Sequence, residues 1–398
     1  MKSFPFPVLF LFGCLAFGQP PPAPYRLSAQ IEADRSRDTT DMNDWFAMWG
    51  YSNIGEYQKT RQLFDAANPA IPYAQIDRED SLYFSRFKPV NAVSYLVQKA
   101  KDARIIIINE AHHVPQHRTF TASLLEGLYK QGFRYFGAEA IVHTDTLLNQ
   151  RRYPILETGY YTQEPQFGNL VREALTIGFT VLAYESRSFA KTTPRQREID
   201  QARNIQRILI QDPKAKILIH CGFDHVREDS LGGPWEKAMA GRLKEFTGID
   251  PLTINQEMMT ERSRPDRGSP LYRYAPVTEP TVFVDGEDKA FNGFKGFNQF
   301  DVRVFHPRST YLHGRPQWLL LNGKRKPYIL RPEQLTIGFP CLVLAYRENE
   351  GNPQGVPADV IEIASPEDQK ALILAKGGYT LEVRNGAGKT ASLTINVK

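Results

Sequence analysis

Between residues 74 and 259 the chain alternates short, almost uninterrupted apolar runs with longer stretches whose apolar positions recur at helical spacing. Ile105 to Ile108 is a continuous β-branched run; Val90–Ala100 before it and Thr119–Lys130 after it carry a helical pattern, the second with Leu124, Leu125 and Leu128 on one face. Gly132 stands where that second helix should stop, because a left-handed closing residue is easiest for glycine. Further strands are predicted at Arg134–Ile141, Phe179–Tyr184, Lys214–His220 and Pro251–Asn255. Helices are predicted from near Asn169 to Ile177, over Arg195–Ile210 and over Trp235–Phe246. Strands apolar on both faces, each followed by a helix, predict an α/β domain with a parallel sheet and helices on both faces.

After residue 259 the pattern changes. Residues 260–280 are charged and proline-bearing and read as a linker. Residues 281–398 show short strands with turn signals and little helical periodicity. Gln317–Leu321 and Tyr328–Leu330 flank Asn322-Gly323, a hairpin signal, and Phe339–Tyr346, Asp359–Ile363, Tyr379–Val383 and Ser392–Val397 continue the series. This predicts a C-terminal all-β, sandwich-like domain. Residues 19–73 form a proline-rich leader and a helical preamble carrying Trp45, Phe46, Trp49 and Tyr57, expected to pack on the α/β domain.

The first residues change the picture of where the protein works. Lys2 precedes an apolar run from Phe4 to Phe17 that is short for a bilayer span. Ala16 and Gly18 are small residues at −3 and −1 of a cut before Gln19, so residues 1–18 read as a secretory signal peptide and the protein as periplasmic or extracellular. Leu11-Phe12-Gly13-Cys14 imitates a lipid-attachment box, but Phe12 is bulkier than that box accepts, and simple cleavage is preferred. No transmembrane segment is expected. The net charge of +5 over 398 residues, without a basic stripe, gives no reason to expect nucleic acid. Cys221 and Cys341 fall in different predicted domains, so no disulfide is expected between them.

In a parallel α/β sheet, ligands bind outside the carboxyl ends of the strands. There the sequence places Asn109-Glu110-Ala111-His112-His113, then His117 and Arg118; Glu139; Tyr184-Glu185; and His220-Cys221-Gly222-Phe223-Asp224-His225. Four successive strands thus deliver ionisable groups to one edge. Imidazole beside carboxylate can take a proton from water near neutral pH; the same donors suit a divalent metal. Glu110, His112, His113 and His225 are the catalytic candidates. Glu110, His112, Glu139, Glu185 and His225 are the candidate metal ligands, and His117 and Arg118 the substrate contacts. His220 and Cys221 read as packing residues. A dinucleotide fingerprint, a phosphate loop, a Gly-x-Ser-x-Gly elbow and a His-Glu-x-x-His helix are all missing from the sequence.

The run Asn109–His113, the later Glu139 and Glu185, and Gly222-Phe223-Asp224-His225 resemble the superfamily that unites erythromycin esterases, iron-regulated haem-uptake lipoproteins and Tiki metalloproteases. The segment Arg197–Asn204 resembles the helix that follows the middle strands in its esterase-like members. The resemblance spans about residues 105–226. Asn109 stands where those proteins open with Gly. Haem-uptake and Tiki-like patterns place their histidine at His112, esterase-like patterns at His113. What the resemblance implies is divided among metal-independent ester hydrolysis, metal-dependent proteolysis and haem binding, and fold alone does not choose.

The sequence therefore supports an exported hydrolase of an ester, amide or similar bond, acting on a small-molecule or peptide substrate. The competing reading is a haem- or metal-binding protein without turnover. Mass spectrometry of the exported protein is expected to find a mature chain beginning at or near Gln19; a diacylglyceryl group on Cys14 would establish the lipoprotein reading instead.

Overall fold

The computed structural model describes residues 22–398 except 38–40, 69–74, 188–190, 295, 349 and 351–353. The expected signal peptide and Cys14 lie outside the described residues. An eight-stranded sheet organises the chain: β1 (Lys88–Asn91), β2 (Ile105–Glu110), β3 (Tyr135–Ala138), β4 (Thr180–Leu182), β5 (Ile217–Gly222), β6 (Leu252–Met259), β7 (Thr281–Val284) and β8 (Val302–Phe305). The order is β1-β7-β8-β6-β2-β5-β3-β4. Every pairing from β8 to β4 is parallel, and β7 pairs antiparallel with β1 and β8.

Both faces of the central strands are buried, which is why β2 and β5 are apolar along most of their length. On one face Ile106, Ile108, Phe136 and Leu218 pack against Leu124, Leu125 and Leu128 of the helix Gln116–Lys130 and Leu170, Val171 and Ala174 of the helix Pro165–Ile177. On the other, Ile105, Ile107, Ile217 and Ile219 meet Ala202 and Ile205 of the helix Pro194–Gln211 and Met239 and Leu243 of the helix Met239–Thr247. Gly132 closes the helix Gln116–Lys130 at φ +92°, and Phe133 N–H reaches back to Leu128 O at 3.1 Å.

The C-terminal part is all-β. Strands β9 (Arg325–Ile329) and β12 (Ala371–Ala375) pair antiparallel; β11 (Asp359–Ile363), β10 (Cys341–Arg347), β13 (Gly377–Asn385) and β14 (Thr390–Val397) form a second antiparallel sheet in that order. A core of Val343, Ile361, Leu372, Leu374, Leu381 and Val383 lies between the two sheets. Cys221 and Cys341 are buried free thiols.

Three expectations differ from what is observed. Residues 281–305 supply β7 and β8 to the main sheet, so the all-β part begins beyond them; the segment 260–280 includes a short helix with Leu271 and Tyr272 buried. The sequence between Val282 and Phe305 is apolar enough to read as either sheet, and only pairing with β1 and β6 assigns it. Asn322-Gly323 does not close a hairpin. Gln317–Leu320 is a 3₁₀ turn, and Leu321, Asn322 and Gly323 all take positive φ to leave it. The preamble joins both parts rather than one. Ala47, Tyr51 and Ile54 of the Asp41–Asn53 region pack on Leu342, Leu344 and Val360, whereas Met48 and Trp49 face Phe64, Tyr160 and Tyr161.

Behind β2 the core holds two neutral histidines, His117 and His306, with ring centroids 5.2 Å apart. Burial pushes His306 down to about 3. The folded state therefore binds fewer protons than the unfolded chain between that value and about 6.5, so this group's share of stability is present above pH 6.5 and lost as pH falls. From His306 alone the protein should be about 2 kcal/mol less stable at pH 5 than at pH 8. Denaturant titration at both pH values checks this: His306→Gln should show the smaller loss, and equal losses in the two proteins would refute the assignment.

Candidate functional site

Strand register builds the first half of the site. Glu110 lies opposite Gly222 across the β2–β5 pair, and His220 opposite Ala138 across β5–β3. Along β2 the side chains alternate, so Glu110 shares a face with Ile106 and Ile108, and in β5 His220 shares that face with Leu218. The same face carries the helix Gln116–Lys130, whose first turn supplies Arg118.

Glu110 is 1% exposed and fully engaged. Its Oε1 accepts from His112 Nδ1–H at 2.7 Å and Arg118 Nη2 at 2.8 Å, and its Oε2 from Arg118 Nε at 2.7 Å and His220 Nε2–H at 2.9 Å. Burial alone would raise this carboxyl; Arg118, His112 and His220 reverse the effect and hold it well below its usual value. Arg118, also buried, spends its remaining donors on Glu164 Oε2 (2.9 Å) and the His112 carbonyl (2.8 Å). Glu164 in turn caps the helix Pro165–Ile177 by accepting Gln166 and Phe167 N–H.

His112 is the partly open member. Its ring stacks on Tyr161 with centroids 4.1 Å apart, and meets Phe223 edge-on at 5.2 Å. The side chain is 12% exposed. Its Cε1 and Nε2 occupy the space beside Gly222: a Cβ there would lie 2.5 and 2.6 Å from them and 3.0 Å from Glu139 Oε2. Glycine at 222 is thus a steric requirement of the site.

The second half is organised by one guanidinium. The helix Pro194–Gln211 starts with Thr193 accepting Gln196 N–H and Pro194 in its first turn, and it turns Arg197, Glu198 and Gln201 inward. Arg197 pairs with Glu139 Oε1 and with both oxygens of Glu185. Gln201 adds two contacts to Glu185 at 3.1 and 3.0 Å. Glu139 Oε2 accepts Gly222 N–H. Burial would raise the Glu139 carboxyl, and His225 and Arg197 outweigh it and hold it well below its usual value.

His225 donates Nδ1–H to Glu198 Oε2 at 2.7 Å, stacks on Trp235 at 4.8 Å, and sets Nε2 3.4 Å from Glu139 Oε1. Burial opposes its charge, but Glu198 and Glu139 outweigh burial and raise the imidazole to about 10. Arg197 Nη1, 3.1 Å from Nε2, opposes that charge and can donate to Nε2 only when the ring is neutral.

The adjacent histidines part company. His113 turns from the site and stacks flat on Phe64, with centroids 3.3 Å apart, where burial pushes it well below its usual value. His117 is buried, accepting Ala111 N–H through Nδ1 at 3.0 Å and donating to Thr260 Oγ1 at 2.8 Å. His113 and His117 thus hold the loop, and Arg118 holds Glu110; none of the three reaches the open side of the site. Sequence reasoning gave His113 a catalytic role and His117 and Arg118 substrate contacts, because a linear pattern shows proximity but not direction. It also passed over His220, whose alternation with Leu218 along β5 would have put it on the Glu110 face. Glu164, Tyr161, Arg197 and Glu198 were missed as well; the spacing of 197, 198 and 201 on one helix face was the available signal.

The metal and haem readings can be tested on these contacts. Among the described residues no group of three or more His, Cys, Asp or Glu is arranged to hold a metal. The physical reason is visible: Arg118 neutralises Glu110, and Arg197 neutralises Glu139 and Glu185, so guanidinium groups take the places a divalent cation would fill. An axial haem ligand needs an imidazole nitrogen facing open space. The His112 ring is 12% exposed between Tyr161 and Phe223, too enclosed for a macrocycle to approach Nε2, and both nitrogens of His225 are engaged. These residues fit neither group.

No family model and no curated protein matches the chain. Among solved structures, the type III effector HopBA1 is similar over 60% of this chain and 99% of its own, with 11% identity and a TM-score of 0.35. RRSP, a MARTX toxin effector domain from Vibrio vulnificus, is similar over 54% of this chain and 49% of its own, with 16% identity and a TM-score of 0.28.

Proposed function

We propose that the protein is an exported hydrolase of an ester, amide or similar bond, with His112 as the general base. The observation that carries this reading is the pinning of His112 Nδ1 by a fully buried, ionised Glu110, which leaves Nε2 facing the space beside Gly222. The resemblance of Asn109–His113 to erythromycin esterases and their relatives supports the same reaction class, and the pattern of residues 1–18 supports export.

Glu110 accepts the Nδ1 proton and so fixes the tautomer with a lone pair on Nε2. Water beside Gly222 gives a proton to Nε2 as its oxygen adds to the substrate carbonyl carbon. The carbonyl π pair moves to oxygen, giving a tetrahedral oxyanion. Collapse of the tetrahedral species breaks the bond to the leaving oxygen or nitrogen, which takes the proton from His112 as it departs and leaves as an alcohol or amine. Glu110 steadies the transient imidazolium, and Arg118 and His220 keep Glu110 ionised throughout. Tyr161 holds the ring plane.

Assays with p-nitrophenyl esters and aryl amides test this directly. His112→Ala should lower turnover by about 10² to 10⁴, the range for a positioned acid–base group, with the fold retained by circular dichroism and a lower melting temperature, because Glu110 loses one of its buried donors. Gly222→Ala should be similarly inactive, since φ −90° at 222 tolerates alanine but the new methyl displaces His112 and Glu139. His113→Gln should remain active. Full activity in His112→Ala, or selective loss in His113→Gln, would reject the assignment.

A further inference from the structure

The oxyanion formed when water adds to a carbonyl needs a hydrogen-bond donor, and a preorganised one is worth about 10² to 10³ in turnover. The strong donors around His112 are already committed. Arg118 divides its guanidinium among Glu110, Glu164 and the His112 carbonyl. Arg197 serves Glu139 and Glu185, with its remaining nitrogen against His225. His220 Nε2–H goes to Glu110, and the Gly222 N–H to Glu139.

Tyr161 is different. Three described rings border His112, and that of Tyr161 is nearest: its centroid is 4.1 Å away with planes 21° apart, against 5.2 Å for Phe223 and 6.5 Å for Trp49. The residue is only partly buried; its phenol oxygen keeps accessible surface and has no hydrogen-bond partner among the described residues. The charges that act on this hydroxyl are Glu139, Arg197, Glu110 and Arg118, drawn from both halves of the site. Burial and then Glu139 hold the phenol well above the ordinary tyrosine value, against the pull of Arg197, so it stays protonated and can donate.

The ring is also fixed before any substrate arrives. Trp49 packs on it with centroids 4.8 Å apart. Tyr161 opens the 3₁₀ turn Tyr161–Gln163; its carbonyl accepts Glu164 N–H at 3.2 Å, and Thr162 Oγ1 donates to Gly159 O at 2.7 Å. Glu164 is the carboxylate that Arg118 ties to Glu110. The ion pairs that hold Glu110 therefore hold Tyr161 as well. With the ring centroids 4.1 Å apart, the phenol oxygen lies at most about 8 Å from His112 Nε2, a gap that one water, one carbonyl group and two hydrogen bonds can span.

We propose that Tyr161 is a further catalytic residue of this site, its phenol O–H donating a hydrogen bond to the oxyanion that forms when His112 delivers water to the substrate carbonyl. The phenol keeps its proton throughout; the proton taken from water passes through His112 to the leaving group. This role rests on the hydrolase reading of His112 and goes beyond the packing of Tyr161 on the imidazole.

Tyr161→Phe separates the two roles, because it keeps the ring against His112 and Trp49 and removes one oxygen. In p-nitrophenyl ester and aryl amide assays on the full chain, Tyr161→Phe should lower kcat by about 10² to 10³. KM should change by less than about threefold, since the lost contact is made only in the transition state. Circular dichroism and melting temperature should be kept, because the oxygen had no partner among the described residues. Placing p-aminophenylalanine at position 161 returns an N–H donor and should recover about tenfold or more of the loss. An active wild type whose Tyr161→Phe variant keeps kcat within about threefold, or no recovery with p-aminophenylalanine, would overturn this role and leave His112 in place. A wild type that hydrolyses neither esters nor amides would overturn the hydrolase reading and this role with it.

Discussion

A carboxylate buried at the end of a central strand is the constraint on which the rest of the site depends. Glu110 emerges from four consecutive isoleucines into a position 1% exposed, where an unpaired charge would cost several kcal/mol. Arg118, His220 and His112 together saturate both its oxygens. Each of those partners is itself constrained. Arg118 must be at the start of the helix that follows β2, His220 must share a face with Glu110 across β5, and the loop between must turn His112 back over the strand end.

Arg118 carries this constraint outward. Its second carboxylate, Glu164, caps the helix Pro165–Ile177 and accepts from Tyr57 OH at 3.2 Å. That helix in turn binds the all-β part: Asn169 donates to Ala358 O at 2.7 Å, and Arg172 holds Glu350 and the Val356 carbonyl. Glu110 and the contact between the two parts of the chain therefore share one chain of hydrogen bonds. The preamble closes over the same region, with Trp49 and Tyr161 at 4.8 Å forming the aromatic wall beside His112.

Arg197 plays the corresponding part for Glu139 and Glu185. Using guanidinium groups rather than a divalent ion to neutralise clustered carboxylates has a chemical consequence. Guanidinium remains charged at any physiological pH and gives directional donors, but it does not bind or ionise water. In the proposed reaction, proton abstraction then falls to His112, whose Nδ1 is held by Glu110 and whose side chain is 12% exposed. His225 is unsuited to that task, since Glu198 engages its Nδ1 and Arg197 and Glu139 crowd its Nε2.

The α/β alternation, the strand ends bearing Glu110, Glu139, Glu185 and His225, and the all-β tail were legible in the sequence, because continuous apolar runs and helical spacing record burial directly. Direction was not. Nothing in His112-His113 says which ring meets Glu110 and which lies on Phe64; that follows from the path of a loop fixed by His117 and Ala111. Likewise the pattern shows that residues 281–305 form strands but not which sheet they join, since apolar alternation looks the same to either partner. Residue types and their periodicity are local properties and survive in the linear chain. Arg118 and His112 lie close to Glu110 in sequence, but the contacts that fix their direction, from Glu164 to Arg118, from Arg197 to Glu139 and from His220 to Glu110, join segments 46, 58 and 110 residues apart, and only the tertiary structure decides those.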